Sequence, residues 1–87
     1  MSGKMRYELT GHAVTVMAER EIPVGWVERV LAQPERTAPD SADPELRHAL
    51  GRIPERGDRV LRVVYNKTTE PWRVVTAYFD RGMRDKL

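Results

Sequence analysis

The apolar positions of this chain change period along its length. Between His12 and Arg20, Ala13, Val16 and Met17 recur at helical spacing, and Thr10 stands just before them as a helix cap. The pattern breaks near Glu21-Ile22, because Pro23 disfavours a helical conformation at the residue before it. Pro23 itself suits the first turn of a second helix, where its missing N–H is not needed. That helix is predicted from about Pro23 to Ala32. Val27, Val30 and Leu31 form its buried stripe, Trp26 lies on the flank, and Glu28 and Arg29 point outward. Upstream, Arg6-Tyr7-Glu8-Leu9 alternates weakly and reads as a short strand.

Residues 34–44 carry three prolines and few apolar side chains, which predicts a loop. Beyond it the period becomes two. Leu46, His48 and Leu50 alternate with Arg47, Ala49 and Gly51 in a weak strand that continues towards Ile53. Pro54 to Asp58 reads as a turn. Val60 to Tyr65 is β-branched enough to be a strand, and Trp72 to Phe79 is a second, joined to it by a loop from Asn66 to Pro71. Asp80 to Leu87 is a charged tail. Helices followed by strands predict an α+β domain, with two N-terminal helices packed on one face of a 3–4-stranded antiparallel sheet. The length of 87 residues allows one such domain.

The two long strands are apolar on both faces, so the face away from the helices is expected to bind a partner or a second copy of the chain. Which residues occupy it depends on register. With Tyr65 opposite Trp72, Leu61, Val63, Val74, Thr76 and Tyr78 share one face, and Arg62, Arg73, Val75 and Phe79 the other. A one-residue bulge instead groups Arg62 with Thr76 and Tyr78. The residues leave both open.

The absence of cysteine excludes a disulfide-stapled miniprotein and a zinc finger, and fits a reducing, cytoplasmic setting. No apolar run reaches the ~18 residues of a membrane span, and Met1 to Glu8 lack the apolar stretch of a secretory signal. The net charge of +2 hides an asymmetry. Residues 1–45 hold five basic and eight acidic residues, and residues 46–87 hold ten basic and five acidic. Twelve of the fifteen basic residues are arginines, whose planar donors suit phosphate. The sheet half therefore has the balance expected of a surface that meets a polyanion.

Motifs for phosphate loops, dinucleotide folds, zinc proteases and serine hydrolases are absent. Two histidines without ligand spacing give no expected metal site, and no cofactor is expected. His12, in the first turn of the first helix, is either a general acid or base beside a bound phosphate or a hydrogen-bonded cap. His48, beside Arg47 on a weak strand, is either a substrate contact or a solvated or half-buried strand residue. Arg20 closes the first helix. Arg62 interrupts an apolar strand, so it either snorkels to the rim or binds a phosphate on the open face. Thr76 offers a hydroxyl, while Tyr65, Trp72 and Tyr78 are packing residues or base-stacking platforms. Arg47, Arg52, Arg56 and Arg59 form a loose basic series, and Arg73 adds a cation to the last strand.

Taken together, Tyr7 to Ala13, Met17-Ala18-Glu19-Arg20-Glu21-Ile22 and Val27 to Pro34 resemble the start of the domain of unknown function 4258 family. Leu61 to Tyr65 and Val74 to Tyr78 are similar to its closing strands. That family in turn resembles the superfold of small bacterial ribonuclease toxins, which includes RelE/ParE-like toxins, colicin-type nucleases and barnase. The resemblance implies helices on one face of a curved sheet and RNA on the other. It also implies a metal-independent endoribonuclease, in which a 2′-hydroxyl attacks the adjacent phosphate to leave a cyclic phosphate. His12 would be the acid or base, and Arg62 would stabilise phosphorane charge. Thr76 and Tyr78 would orient the phosphate or stack a base. Beside these positions, Arg20, Arg47, His48 and Arg73 are the expected substrate contacts. The expected partners are RNA and a cognate antitoxin-like protein. A non-catalytic protein-interaction or RNA-binding module of the same fold is the alternative.

Overall fold

The computed structural model describes residues 6–87. Strand β1 (Tyr7–Leu9) leads into α1 (Gly11–Glu19), α2 (Val24–Ala32), β2 (Arg36–Pro39), β3 (Leu46–Ile53), β4 (Arg59–Asn66) and β5 (Trp72–Phe79). One-turn 3-10 helices follow β3 (Pro54–Arg56) and β5 (Arg81–Met83).

Thr10 starts α1 as its composition suggests. Its backbone is extended, its Oγ1 accepts from the Ala13 amide at 3.1 Å, and its own amide donates to the Val74 carbonyl at 3.0 Å. Pro23 stands one residue earlier than expected, as the extended N-cap of α2 rather than in its first turn. Ala13, Val16 and Met17 of α1 and Val27, Val30 and Leu31 of α2 are all buried.

The sheet differs from expectation in size and sense. It has five strands in the order β1-β5-β4-β3-β2. It is mixed, because β1 runs parallel to β5 while every other neighbouring pair is antiparallel. The two helices carry the chain from β1 to the far edge strand β2, which runs the opposite way, and three antiparallel steps from β2 to β5 then bring β5 alongside β1 in the same direction. The extra antiparallel strand, β2, lies within the proline-rich stretch expected to be a loop. Its pattern is almost wholly exposed, and it pairs at the sheet edge, with Arg36 opposite Leu50 and Pro39 opposite Arg47. Proline is tolerated there because an edge strand needs only one set of backbone partners.

The helices cover one face of the sheet, α1 over β5 and β1, α2 over β3 and β4. Ala49, Ile53, Leu61, Val63, Tyr65, Val74 and Ala77 form the core with them. Each fully buried aliphatic side chain there is worth about 1.5–3 kcal/mol. Gly51 belongs to the same face. A methyl on it would stand 3.2 Å from Val30 Cγ2, so α2 approaches β3 where the strand has no side chain. Arg20 fastens α1 to the sheet by donating to the Ala77 carbonyl at 2.9 Å, beyond the part of β5 that β1 reaches. Arg56 sits over the rings of Trp26 and Phe79 and donates to the Glu21 carbonyl, locking the interhelical turn to the end of the sheet.

Register is settled by a bulge. Val64 faces Thr76 but Tyr65 faces Val74, so Val75 has no partner. Arg62 pairs with Tyr78. Arg62, Thr76 and Tyr78 therefore share the face opposite the helices, as only the bulged register allows.

The charged tail does not trail away. The Asp80 amide donates to the Val60 carbonyl, Arg52 donates to the Leu87 carbonyl, and Arg36 donates to that of Lys86. Residues 80–87 thus turn back over the helix-free face. Leu50 and Val60, on that face, are 1% exposed.

Candidate functional site

Alternation along β3 and β4 puts His48, Leu50, Arg62 and Val64 on the helix-free face, since Ala49, Leu61 and Val63 point into the helix-side core. Leu50 faces Arg62 across the strands, and His48 faces Val64. His48 and Arg62 are diagonal neighbours on one surface.

Their side chains join a four-residue chain. Arg62 Nε and Nη2 reach Asp80 Oδ2 at 2.8 and 2.7 Å, and Arg62 Nη1 stands 2.7 Å from His48 Nδ1. His48 Nε2 stands 2.7 Å from Asp40 Oδ1. The side chains of His48 and Arg62 are 14% and 17% exposed. A guanidinium only donates, so His48 Nδ1 accepts and carries the lone pair. The ring proton is then on Nε2 and is donated to Asp40. This assigns the neutral imidazole one tautomer, with Nδ1 as its basic nitrogen facing the cation.

Both carboxylates are set by local geometry. Asp40 ends the β2 edge, and its Oδ2 accepts from the amides of Ala42 and Asp43 in the turn that leads to β3. The His48 hydrogen bond, with these two amides, holds the Asp40 carboxyl down to about 2. Asp80 follows β5. Its Oδ1 accepts from the Gly82 amide at 2.9 Å, capping the final 3-10 turn.

Tyr78 and Thr76 complete this face on β5. The other expected site residues lie elsewhere. His12 is exposed at the start of α1, in the helix layer, so the sheet separates it from Arg62. Arg20 is spent on the Ala77 carbonyl. Arg47 pairs with Tyr65, on the helix-side face, and donates to Thr37 Oγ1. Arg73 is on the helix-free face but towards the β1 edge, 3.8 Å from Glu8. His48 stands between Asp40 and Arg62 on the helix-free face. Asp40 and Asp80 carried no sequence signal, because each meets its partner only through folding.

Beside this chain a cavity of about 320 Å³ is lined by Arg59, Val60, Phe79, Asp80, Arg81 and Arg84. Asp80 is the wall common to the cavity and the Arg62 centre.

The profile of a domain of unknown function, DUF4258, matches residues 9–79, from the end of β1 to the end of β5. The chain belongs to the DUF4258 family. That match takes in both helices, His48, Arg62 and Tyr78, and ends just before Asp80. No curated protein and no solved structure matches the chain with significance. Among the described residues, no helix is long and apolar enough to cross a membrane.

Proposed function

We propose that this DUF4258 domain is a toxin-type endoribonuclease of the RelE-like superfold, acting through His48 and Arg62 rather than His12. The observation that carries this reading is the Asp40–His48–Arg62 chain. A carboxylate that accepts from one ring nitrogen orients a histidine so that the other can act as a base. Here that second nitrogen faces a guanidinium, the group suited to phosphorane oxygens.

In the reaction, a backbone phosphate draws Arg62 Nη1 away from His48 Nδ1. The freed Nδ1 takes the proton of the neighbouring 2′-hydroxyl, whose oxygen bonds to phosphorus. Arg62 balances the charge on the non-bridging oxygens. The bond to the 5′ oxygen breaks, and Tyr78, in register with Arg62, protonates the leaving oxygen. His48 returns its proton to Tyr78 through solvent. The products are a 2′,3′-cyclic phosphate and a free 5′-hydroxyl. Every step uses side-chain acid–base and guanidinium chemistry.

The second reading is an RNA-binding module without cleavage. It is favoured by one feature: both ring nitrogens of His48 already have protein partners.

Incubation of the purified protein with a single-stranded oligoribonucleotide in EDTA, with products read by mass spectrometry, separates the two. Cleavage to a cyclic phosphate, lowered roughly 100-fold or more in His48→Ala and unchanged in His12→Ala, supports the nuclease. Binding without cleavage selects the module. Neither binding nor cleavage overturns both readings.

A further inference from the structure

Eight of the twelve arginines in residues 6–87 have an internal partner among the described residues. From Arg20 to Arg73, each but one engages a carbonyl, a hydroxyl or a carboxylate. The exception is Arg59. Arg81 and Arg84, further on, also take part in no ion pair or side-chain hydrogen bond among the described residues. These three cations do not lie at random on the surface, because all three line the same 320 Å³ cavity.

The only acidic group in the cavity wall is Asp80. Its Oδ2 is held by Arg62 and its Oδ1 by the Gly82 amide, so it is not available to neutralise the three. The cavity is thus a concave surface with three unpaired guanidinium groups. Guanidinium forks bind phosphate oxygens in pairs, and clustered like charges on one wall have no stabilising role without an anion. Val60 and Phe79 supply the apolar remainder, enough for a sugar or base beside the phosphate.

We infer that Arg59, Arg81 and Arg84 form a phosphate-binding subsite next to the His48–Arg62 centre. Arg59 opens β4, while Arg81 and Arg84 come from the final turn. Asp80 ties that turn to Arg62. Assigning the phosphate to an RNA backbone rests on the nuclease reading. The same chemistry would take the phosphate of a free nucleotide, and the experiment below tells these sources apart.

The probe is a 2′-O-methyl oligoribonucleotide, which has no attacking hydroxyl, with AMP and inorganic phosphate as the small-ligand arms. Affinity is read by fluorescence anisotropy for the oligomer and by calorimetry for the small anions, over a series of salt concentrations. All three arginines are exposed, so Arg59→Gln, Arg81→Gln and Arg84→Gln are expected to fold like the parent, and circular dichroism verifies it. The triple variant should lose at least tenfold in oligomer affinity at about 0.1 M salt. Its log–log salt slope should fall by ~0.7 for each phosphate contact removed. Arg29→Gln and Lys67→Gln, which remove a charge elsewhere, should change neither.

AMP or phosphate binding as tightly as the oligomer, and lost in the triple variant, keeps the subsite and makes a free nucleotide its source. Equal affinity of parent and triple variant overturns the subsite, as does an equal loss in the two control variants. Failure of the parent to bind any of the three probes overturns it as well. A parent that binds the oligomer through these arginines yet never cleaves RNA refutes the nuclease and leaves the subsite standing.

Discussion

Arg62 on β4 and His48 on β3 are diagonal neighbours with Nη1 2.7 Å from Nδ1, so an always-charged donor fixes which nitrogen of the imidazole is basic. Asp80 and Asp40 hold the two ends of this pair. These contacts make the four residues interdependent in stability.

Arg62→Ala should lower stability by roughly 1–3 kcal/mol, because it leaves a mostly buried Asp80 carboxylate without its cation. Asp80→Ala should cost a similar amount. The double variant should cost clearly less than the two single losses combined, since neither charge is then left unmatched. Urea unfolding of the four proteins measures this. Strict additivity would show that the pair is not coupled.

Removing the cap of α1 reaches further than the helix. Thr10 Oγ1 accepts from the Ala13 amide and lies 3.4 Å from the Val75 carbonyl at the bulge. Thr10→Ala is expected to cost about 1 kcal/mol or somewhat more. Thr10→Ser, which keeps the oxygen, should retain most of that. Equal loss in both variants, read from thermal unfolding, would assign the effect to the methyl group instead.

Gly51 is a packing residue. A β-carbon there meets Val30 Cγ2 at 3.2 Å, and Val30 is buried and stiff at χ1 in a helix. Gly51→Ala should destabilise by roughly 1 kcal/mol, and Gly51→Val by more, because α2 must lift from β3. A stabilised Gly51→Ala protein would mean that the helix yields without cost.

Acid should weaken the fold through two carboxylates. The Arg29 guanidinium, helped by a backbone amide, holds Glu55 down from 4.5 to about 2, and the His48 hydrogen bond holds Asp40 down from 3.8 to about 2. A carboxylate whose folded value lies below its free value stabilises above the free value. That contribution is lost as pH falls towards the folded value. Urea midpoints should therefore drop between about pH 4.5 and pH 2, and Glu55→Gln should flatten the drop. An unchanged slope in that variant would remove Glu55 from the account.

Local pattern determined much of this protein. Both helices, their buried stripes, the Thr10 cap and the two long strands follow from period, proline placement and β-branched density, which act over a few residues. The basic excess of the sheet half was equally plain, though not its use. Folding disperses most of those arginines into internal partners and leaves three around one cavity.

Tertiary structure decided what depends on distant neighbours. Strand β2 has exposed residues and prolines, and is a strand only because β3 offers it an edge. The bulge at Val75 turned Arg62 onto the face of Thr76 and Tyr78, and a one-residue slip reverses every side chain beyond it. The separation of the two histidines arises in the same way. His12 lies in the helix layer, while His48, 14 residues from Arg62 in sequence, meets it only when β3 and β4 pair. Asp40 and Asp80 join them by the same route. Hydrogen-bonded side chains at such separations leave no periodicity in the chain, so only the packed sheet brings them together.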